Sequence, residues 1–412
     1  MRETPSISAC LIVKDEELHI RRCLRSIVNA VDEICIIDTG CSDRTIEIAE
    51  KEFGAKSRFR AWDDDFSAAR NASIDLASGD WILQIDADEE LYQPDIPKLR
   101  PLLERTDVDA INVVLRNFYN VPEAYTGESV RDPMNTPHAI NHLARIFRRL
   151  PHLRYTGFIH ETIREIKVSL VSDISIFHYG YAMHGKVQET RLERNYRLCL
   201  KQIDAEPDNP ANYYYMGTTC VVWNRIEEAE NYFRRAVEIA RPEDAQRRHF
   251  YQMSLYQLAN QHARRQEYDK ALALCEQALD DDPHYLDAWI RLGEARFFLG
   301  HYWDAERALR RYLEILQEHR SQVRMTQYSL YMLNADDYAC FLLGRCAQER
   351  EDIEDAERWL LKSIEHKPTW GAYYFLSQVY ESMGRAEDAE AAFKKAKELN
   401  PELEREKQGP RA

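Results

Sequence analysis

A chain of 412 residues is too long for one compact core and suits two domains of ordinary size. Hydrophobic residues at 44% and charged residues at 30% give a soluble globular balance, and a net charge of −15 lacks the basic footprint that nonspecific nucleic-acid binding needs. No apolar run is long enough for a transmembrane segment, and the short one near Met1 reads as a buried strand, not a secretory leader. The nine cysteines are scattered, odd in number and never spaced CxxC, which points to a reducing cytoplasmic setting without a zinc site.

In chain order, SACLIV (8–13) reads as a strand and 17–30 as a helix; EICIID (33–38) is a second strand, with a helix over 44–53. A third strand is expected near 57–62, a helix near 67–77, a fourth strand at WILQID (81–86), and further strands over 108–115 and 170–178. Buried runs alternating with helices imply parallel βαβ units. After about residue 185 the pattern becomes one of helical pairs, with Ala229, Ala271, Ala305, Ala356 and Ala389 at the key small position of a tetratricopeptide repeat. Small residues at a crossing let two helices approach closely. The expected division is a catalytic domain over 1–190, a linker helix over 191–208, and about five repeats over 209–402, with longer helices near 241–250 and 316–335 and a frayed end from Glu404.

Ligands of open α/β sheets bind beyond the carboxyl ends of the strands. Here each of the first four runs ends in acids: Lys14-Asp15-Glu16, Asp38, Asp63-Asp64-Asp65, and Asp86-Ala87-Asp88-Glu89. Such a cluster repels itself unless a cation neutralises it, and hard oxygen ligands suit Mg²⁺ or Mn²⁺ shared with substrate phosphates. A lone Asp-x-Asp is commonly a solvated turn; after a buried strand, as the fourth of four acid-tipped strands, it reads as a site. Ser42 and Asp43 are expected to cap the next helix.

SISACLIVKDEE, DEICIIDTGCSDRTIEIAE and AARNASIDLASGDWILQIDADE together resemble the family 2 glycosyltransferases of GT-A fold, in order and spacing, over residues 6–91. The resemblance implies an α/β GT-A domain (a Rossmann-like mixed sheet) ahead of an all-α tetratricopeptide solenoid. It also implies a nucleoside-diphosphate sugar donor, usually a uridine diphosphate (UDP) sugar, and inversion at the anomeric carbon. By position, Asp38 would contact the base, Asp86 the ribose or the metal, Asp88 the metal, and Arg70 the diphosphate or the base. Asp15, where the family often has Asn, joins the nucleotide-binding set. His178, ending an apolar strand in FHYGY, is either a structural strand-end histidine or, as in many GT-A enzymes, a further metal ligand.

Tyr155–Glu161 (YTGFIHE) resembles an acceptor-side segment of peptide-modifying family members, with Glu161 the candidate base, His160 beside it, and an ion pair to Arg164 as the bland alternative. RIFRR (145–149) faces the diphosphate or is an ordinary strand with exposed bases. Likeness to bacteriocin-peptide S-glycosyltransferases favours a peptide or protein acceptor, and likeness to lipooligosaccharide glucosyltransferases a glycan. The repeats imply a macromolecular partner or a homodimer. A nucleotidyltransferase would want a glycine-rich loop after the first strand, and KDEELHIRR (14–22) has no glycine. The rival from another class is a catalytically inactive interaction scaffold.

Overall fold

A computed structural model describes residues 4–118, 121–136, 138–180, 186–240, 247–321, 332 and 334–403. The chain divides into two compact units, one of described residues up to Tyr232 and the other from Phe233.

The first unit runs β1 (Ile7–Val13), α1 (Ile20–Ile27), β2 (Glu33–Asp38), α2 (Thr45–Phe53), β3 (Lys56–Phe59), α3 (Phe66–Leu76) and β4 (Trp81–Gln84). It continues with β5 (Glu89–Leu91), α4 (Ile96–Leu103), β6 (Ala110–Phe118), α5 (Glu123–Thr126), β7 (His138–Arg148), β8 (Tyr155–Thr156), β9 (Thr162–Ile163) and β10 (Ser169–His178). Helices α6 (Lys186–Ala205) and α7 (Pro210–Val222) follow, and the unit boundary falls inside α8 (Ile226–Ile239). The eight-stranded sheet has the order β3-β2-β1-β4-β7-β6-β10-β5. β1 to β4 are parallel, β7 lies antiparallel between β4 and β6, β10 runs parallel to β6, and β5 returns antiparallel along β10. This is the GT-A mixed sheet.

Alternation along β1 explains why both faces are covered. Ile7, Ala9, Leu11 and Val13 join a core with α1 and α2 residues such as Leu24 and Ile48, while Cys10 faces Ile74 of α3, Ile82 and Phe147. The antiparallel β7 has no place in the expected βαβ succession; its sequence HAINHLARIFR is too polar to announce a central strand. Gly79 sits where an added Cβ would lie 2.6 Å from Ser8 Oγ, so the turn into β4 needs a bare backbone there.

The second unit holds the helix pairs α9/α10 (Arg248–Arg264, Tyr268–Asp281), α11/α12 (Leu286–Phe298, Tyr302–Ser321), α13/α14 (Asp336–Glu349, Ile353–His366) and α15/α16 (Trp370–Ser382, Ala386–Leu399). The key alanines at 271, 305 and 356 are fully buried. At the crossings, a Cβ on Gly293 would meet Leu309 Cγ at 2.6 Å and one on Gly344 would meet Leu360 Cγ at 2.7 Å. The long α12 accounts for part of the expected insertion near 316–335; the rest of it, most of 241–250 and the end from Glu404 lie outside the described residues. None of the nine cysteines is in a disulfide, and all but Cys41 are buried. Among the described residues no helix is long and apolar enough to cross a membrane.

Candidate active site

Register places the acids. Val13 pairs with Asp38 and Cys10 with Gln84, so β1, β2 and β4 end side by side and Asp38 shares an edge with the Asp86-Ala87-Asp88 turn. β10 ends at the same edge, pairing His178 with Asn117 of β6. The turn after β4 is closed by Glu89 N–H on Asp86 O at 3.0 Å, and β5 then pairs Glu89 with His178, which carries Asp88 to the histidine.

His178 Nε2 lies 3.5 Å from Asp88 Oδ2. Nδ1 bonds Asn117 Oδ1 at 2.8 Å, and a carbonyl oxygen only accepts, so Nδ1 carries a proton and Nε2 is the atom aimed at Asp88. A Cβ on Gly180 would come within 2.5 Å of Asp88 Oδ2 and 2.6 Å of His178 Nε2, so glycine keeps open the space beside both atoms. A carboxylate oxygen and an imidazole nitrogen converging there can share a proton or a divalent cation. Burial opposes charge on both, yet each outweighs it for the other: His178 is raised and Asp88 lowered. Among the described residues no three His, Cys, Asp or Glu side chains form a ready cation cage. Two protein donors completed by substrate phosphates are what Mg²⁺ or Mn²⁺ commonly takes, so the donor set fits such an ion.

Asp86 is held differently. Arg70 NH1 donates to Oδ1 at 2.9 Å and Arg145 NH2 to Oδ2 at 3.2 Å, while Arg145 also donates to Glu89 at 2.5 Å. Burial works against the Asp86 carboxylate, but Arg70 and then Arg145 keep its pKa far below the usual range. The Nε of Arg70 donates to Glu161. Arg70, expected at the diphosphate or base, is therefore an internal clamp between Asp86 and Glu161. Of the RIFRR arginines, Arg145 is neither exposed nor free for phosphate, because two carboxylates already need it. Arg148 lies over Trp81, and Arg149 donates to the carbonyls of Ser78 and Gly79.

Glu161 does not pair with Arg164, which turns to Glu206 at 2.7 Å. Its neighbour His160 takes a left-handed backbone (φ 52°) and stacks on Tyr215 of α7 at 4.0 Å. Asp38 Oδ1 accepts the N–H groups of Gly40 and Cys41, making the strand-end turn. Asp15, also left-handed, accepts Ser42 N–H at 2.6 Å and its hydroxyl at 3.0 Å, pinning the loops after β1 and β2 together. Ser42 is thus engaged by Asp15 instead of capping; Asp43 alone serves the helix start, accepting Thr45 N–H at 2.9 Å. The acids after β3 are taken up locally: Asp63 by Arg60, Asp64 by Arg197, and Asp65 as N-cap of α3.

Glu16 and Glu89 complete the cluster and went unassigned in the sequence. Burial, then Asp88, pushes Glu16 up to about 8, and burial, opposed by Arg145, lifts Glu89 to about 7. Glu16 stood in an acidic tripeptide whose members cannot be told apart by spacing. A hollow of about 360 Å³ bounded by Asp32, Glu33 and Ser78 lies at the opposite edge of the sheet, away from these acids.

Residues 8–161 match the family described as Glycosyl transferase family 2, and 211–242, 262–328 and 371–403 match tetratricopeptide repeats. The chain belongs to glycosyltransferase family 2. This family 2 chain is 32% identical over 318 residues to a tetratricopeptide-repeat-containing protein of Synechococcus elongatus, covering 73% of the chain and 74% of the relative. It is 26% identical over 240 residues to the SPbeta prophage-derived glycosyltransferase SunS of Bacillus subtilis, spanning only 54% of that protein's length. Among solved structures, the tetratricopeptide protein YrrB superposes with a TM-score of 0.39 at 20% identity, over 50% of this chain and 93% of that one.

Proposed function

We propose that this family 2 chain transfers a sugar, with inversion, from a nucleoside-diphosphate sugar (a UDP-sugar) to a peptide, protein or glycan acceptor. The observation that carries the reading is the convergence of Asp88 and His178 beside the bare backbone of Gly180, on the strand edge where Asp86 is locked by two arginines. Asp88 and His178 would hold Mn²⁺ or Mg²⁺, which when bound supplies positive charge against a departing diphosphate. Asp86, fixed by Arg70 and Arg145, would accept from the ribose, and the loops that Asp15 joins and the turn that Asp38 closes would frame the base.

In the displacement, an acceptor oxygen, sulfur or nitrogen bonds to the anomeric carbon as the bond to the β-phosphate oxygen breaks. The bonding pair leaves with the nucleotide, and the acceptor's proton goes to Glu161. Arg70 fixes that carboxylate by the same clamp that fixes Asp86, so donor and acceptor groups share one rigid mount. The repeats would bind the acceptor polypeptide or a second copy of the chain.

The test is turnover: purified protein with Mn²⁺ and a panel of nucleotide-sugars should slowly hydrolyse at least one of them, and chelation should stop it. Failure to bind any nucleotide-sugar by calorimetry would leave an inactive scaffold as the better reading.

A further inference from the structure

Helix α6 presents a stripe of cations to the rest of the first unit: Arg191, Arg194, Arg197 and Lys201, three or four residues apart and so on one face. Its two halves are treated unequally. Arg197 forms an ion pair with Asp64, and Lys201 donates to the Asp64 carbonyl at 3.1 Å and lies over the Phe158 ring at 3.8 Å; these two dock the helix. Arg191 instead reaches the acid edge, where its nearest carboxylate is Glu16 at 3.9 Å and its charge is felt at Asp88. Arg194 lies over the Phe66 ring at 5.1 Å; among the described residues its hydrogen bonds go to its neighbour Asn195 and no ion pair joins it to a carboxylate. Burial, then Arg191, depresses its pKa.

Adjacent guanidinium groups one helical turn apart repel, and sheltering one without a counter-ion in contact is unfavourable. Arg191 thus meets one carboxylate at the outer limit of an ion pair, and Arg194, one turn further along the helix, has no carboxylate in contact among the described residues. We infer that Arg191 and Arg194 are the anion site that holds the diphosphate of the donor and of the departing nucleotide. The inference rests on the nucleotide-sugar reading above, and it replaces Arg70 and Arg145, whose donors are already occupied, as the arginines that meet phosphate. Planar guanidinium forks suit phosphate oxygens, and a pair on one helix would grip both phosphates at a fixed spacing.

Calorimetry with UDP and Mn²⁺, and with uridine, separates the possibilities. Arg191→Ala and Arg194→Ala should each weaken UDP about tenfold or more, as expected for a lost charge-assisted contact, with uridine binding unchanged. Arg194→Lys should recover part of the loss, and Arg197→Ala, which removes only a docking contact, should leave UDP affinity within about twofold. UDP affinity unchanged in alanine or glutamine variants that keep the wild-type thermal transition would overturn the inference while leaving the donor reading intact. Wild-type protein that binds no UDP would instead remove the donor reading, and the inference with it.

Discussion

At the acid edge of the first unit, Asp86 is gripped by Arg70 from a helix and Arg145 from a strand far along the chain. At a helix crossing of the second unit, Gly344 simply yields room to Leu360 of the next helix. The first arrangement joins sequence-distant charges in a buried network, where losing Arg70 would strip Glu161 of its cation and Asp86 of one of two; the second repeats a local fit of small against large. One region should therefore lose its chemistry abruptly on a single polar change, while the other should lose stability by degrees and leave the chemistry alone.

The sharpest test of that contrast is Asp88→Ala. Turnover should fall by about 10³-fold or more, with metal-dependent nucleotide binding lost and the thermal transition of the repeat unit unmoved. Retained turnover would remove Asp88 from the site. Arg70→Ala should come next in size, destabilising the first unit by about 3–5 kcal/mol in urea titration, because Glu161 and Asp86 would lose their shared partner. A loss below about 1 kcal/mol would mean that water replaces the clamp.

Gly344→Ala probes the other region. Overpacking against Leu360 should cost about 1–3 kcal/mol in the repeat unit, with turnover on a small acceptor unchanged; altered turnover there would blur the contrast. The smallest effect concerns acid. Glu33 loses to burial but gains more from Lys56, Ser8 and Ser78, so its pKa falls to about 2. A depressed carboxylate contributes stability above its unfolded-state pKa and loses it as pH falls toward the folded value. Glu33→Gln should flatten the acid limb of the first unit's thermal transition between about pH 4.5 and about pH 2, with no change in turnover at neutral pH.

Much of this is legible in the sequence alone. Buried runs ending in acids announced the parallel half of the sheet, and Asp88 and His178 could be singled out because each follows an apolar strand whose direction fixes its edge. The arginines could not. Arg70 lies mid-helix among small residues and Arg145 in a polar strand, and sequence does not say which cation turns inward to meet a carboxylate. Nor did it show that Asp63, Asp64 and Asp65 are absorbed by neighbours, since an acid at a strand end looks alike whether it caps a helix or faces a substrate. The compact unit reaches Tyr232, past the change of pattern near residue 185, because charged side chains of α6 and the ring of Tyr215 are tied to the sheet domain.

Those ties bear on how the molecule can be cut. Phe158 N–H donates to Gln202, Arg164 pairs with Glu206, and His160 rests on Tyr215, so the hairpin bearing Glu161 is moored on both sides to helices that follow it in the chain. A fragment ending near residue 190 would keep every acid of the edge yet set that hairpin adrift. The shortest piece that keeps this hairpin anchored should end beyond α7, which makes that helix part of the support of the sheet domain.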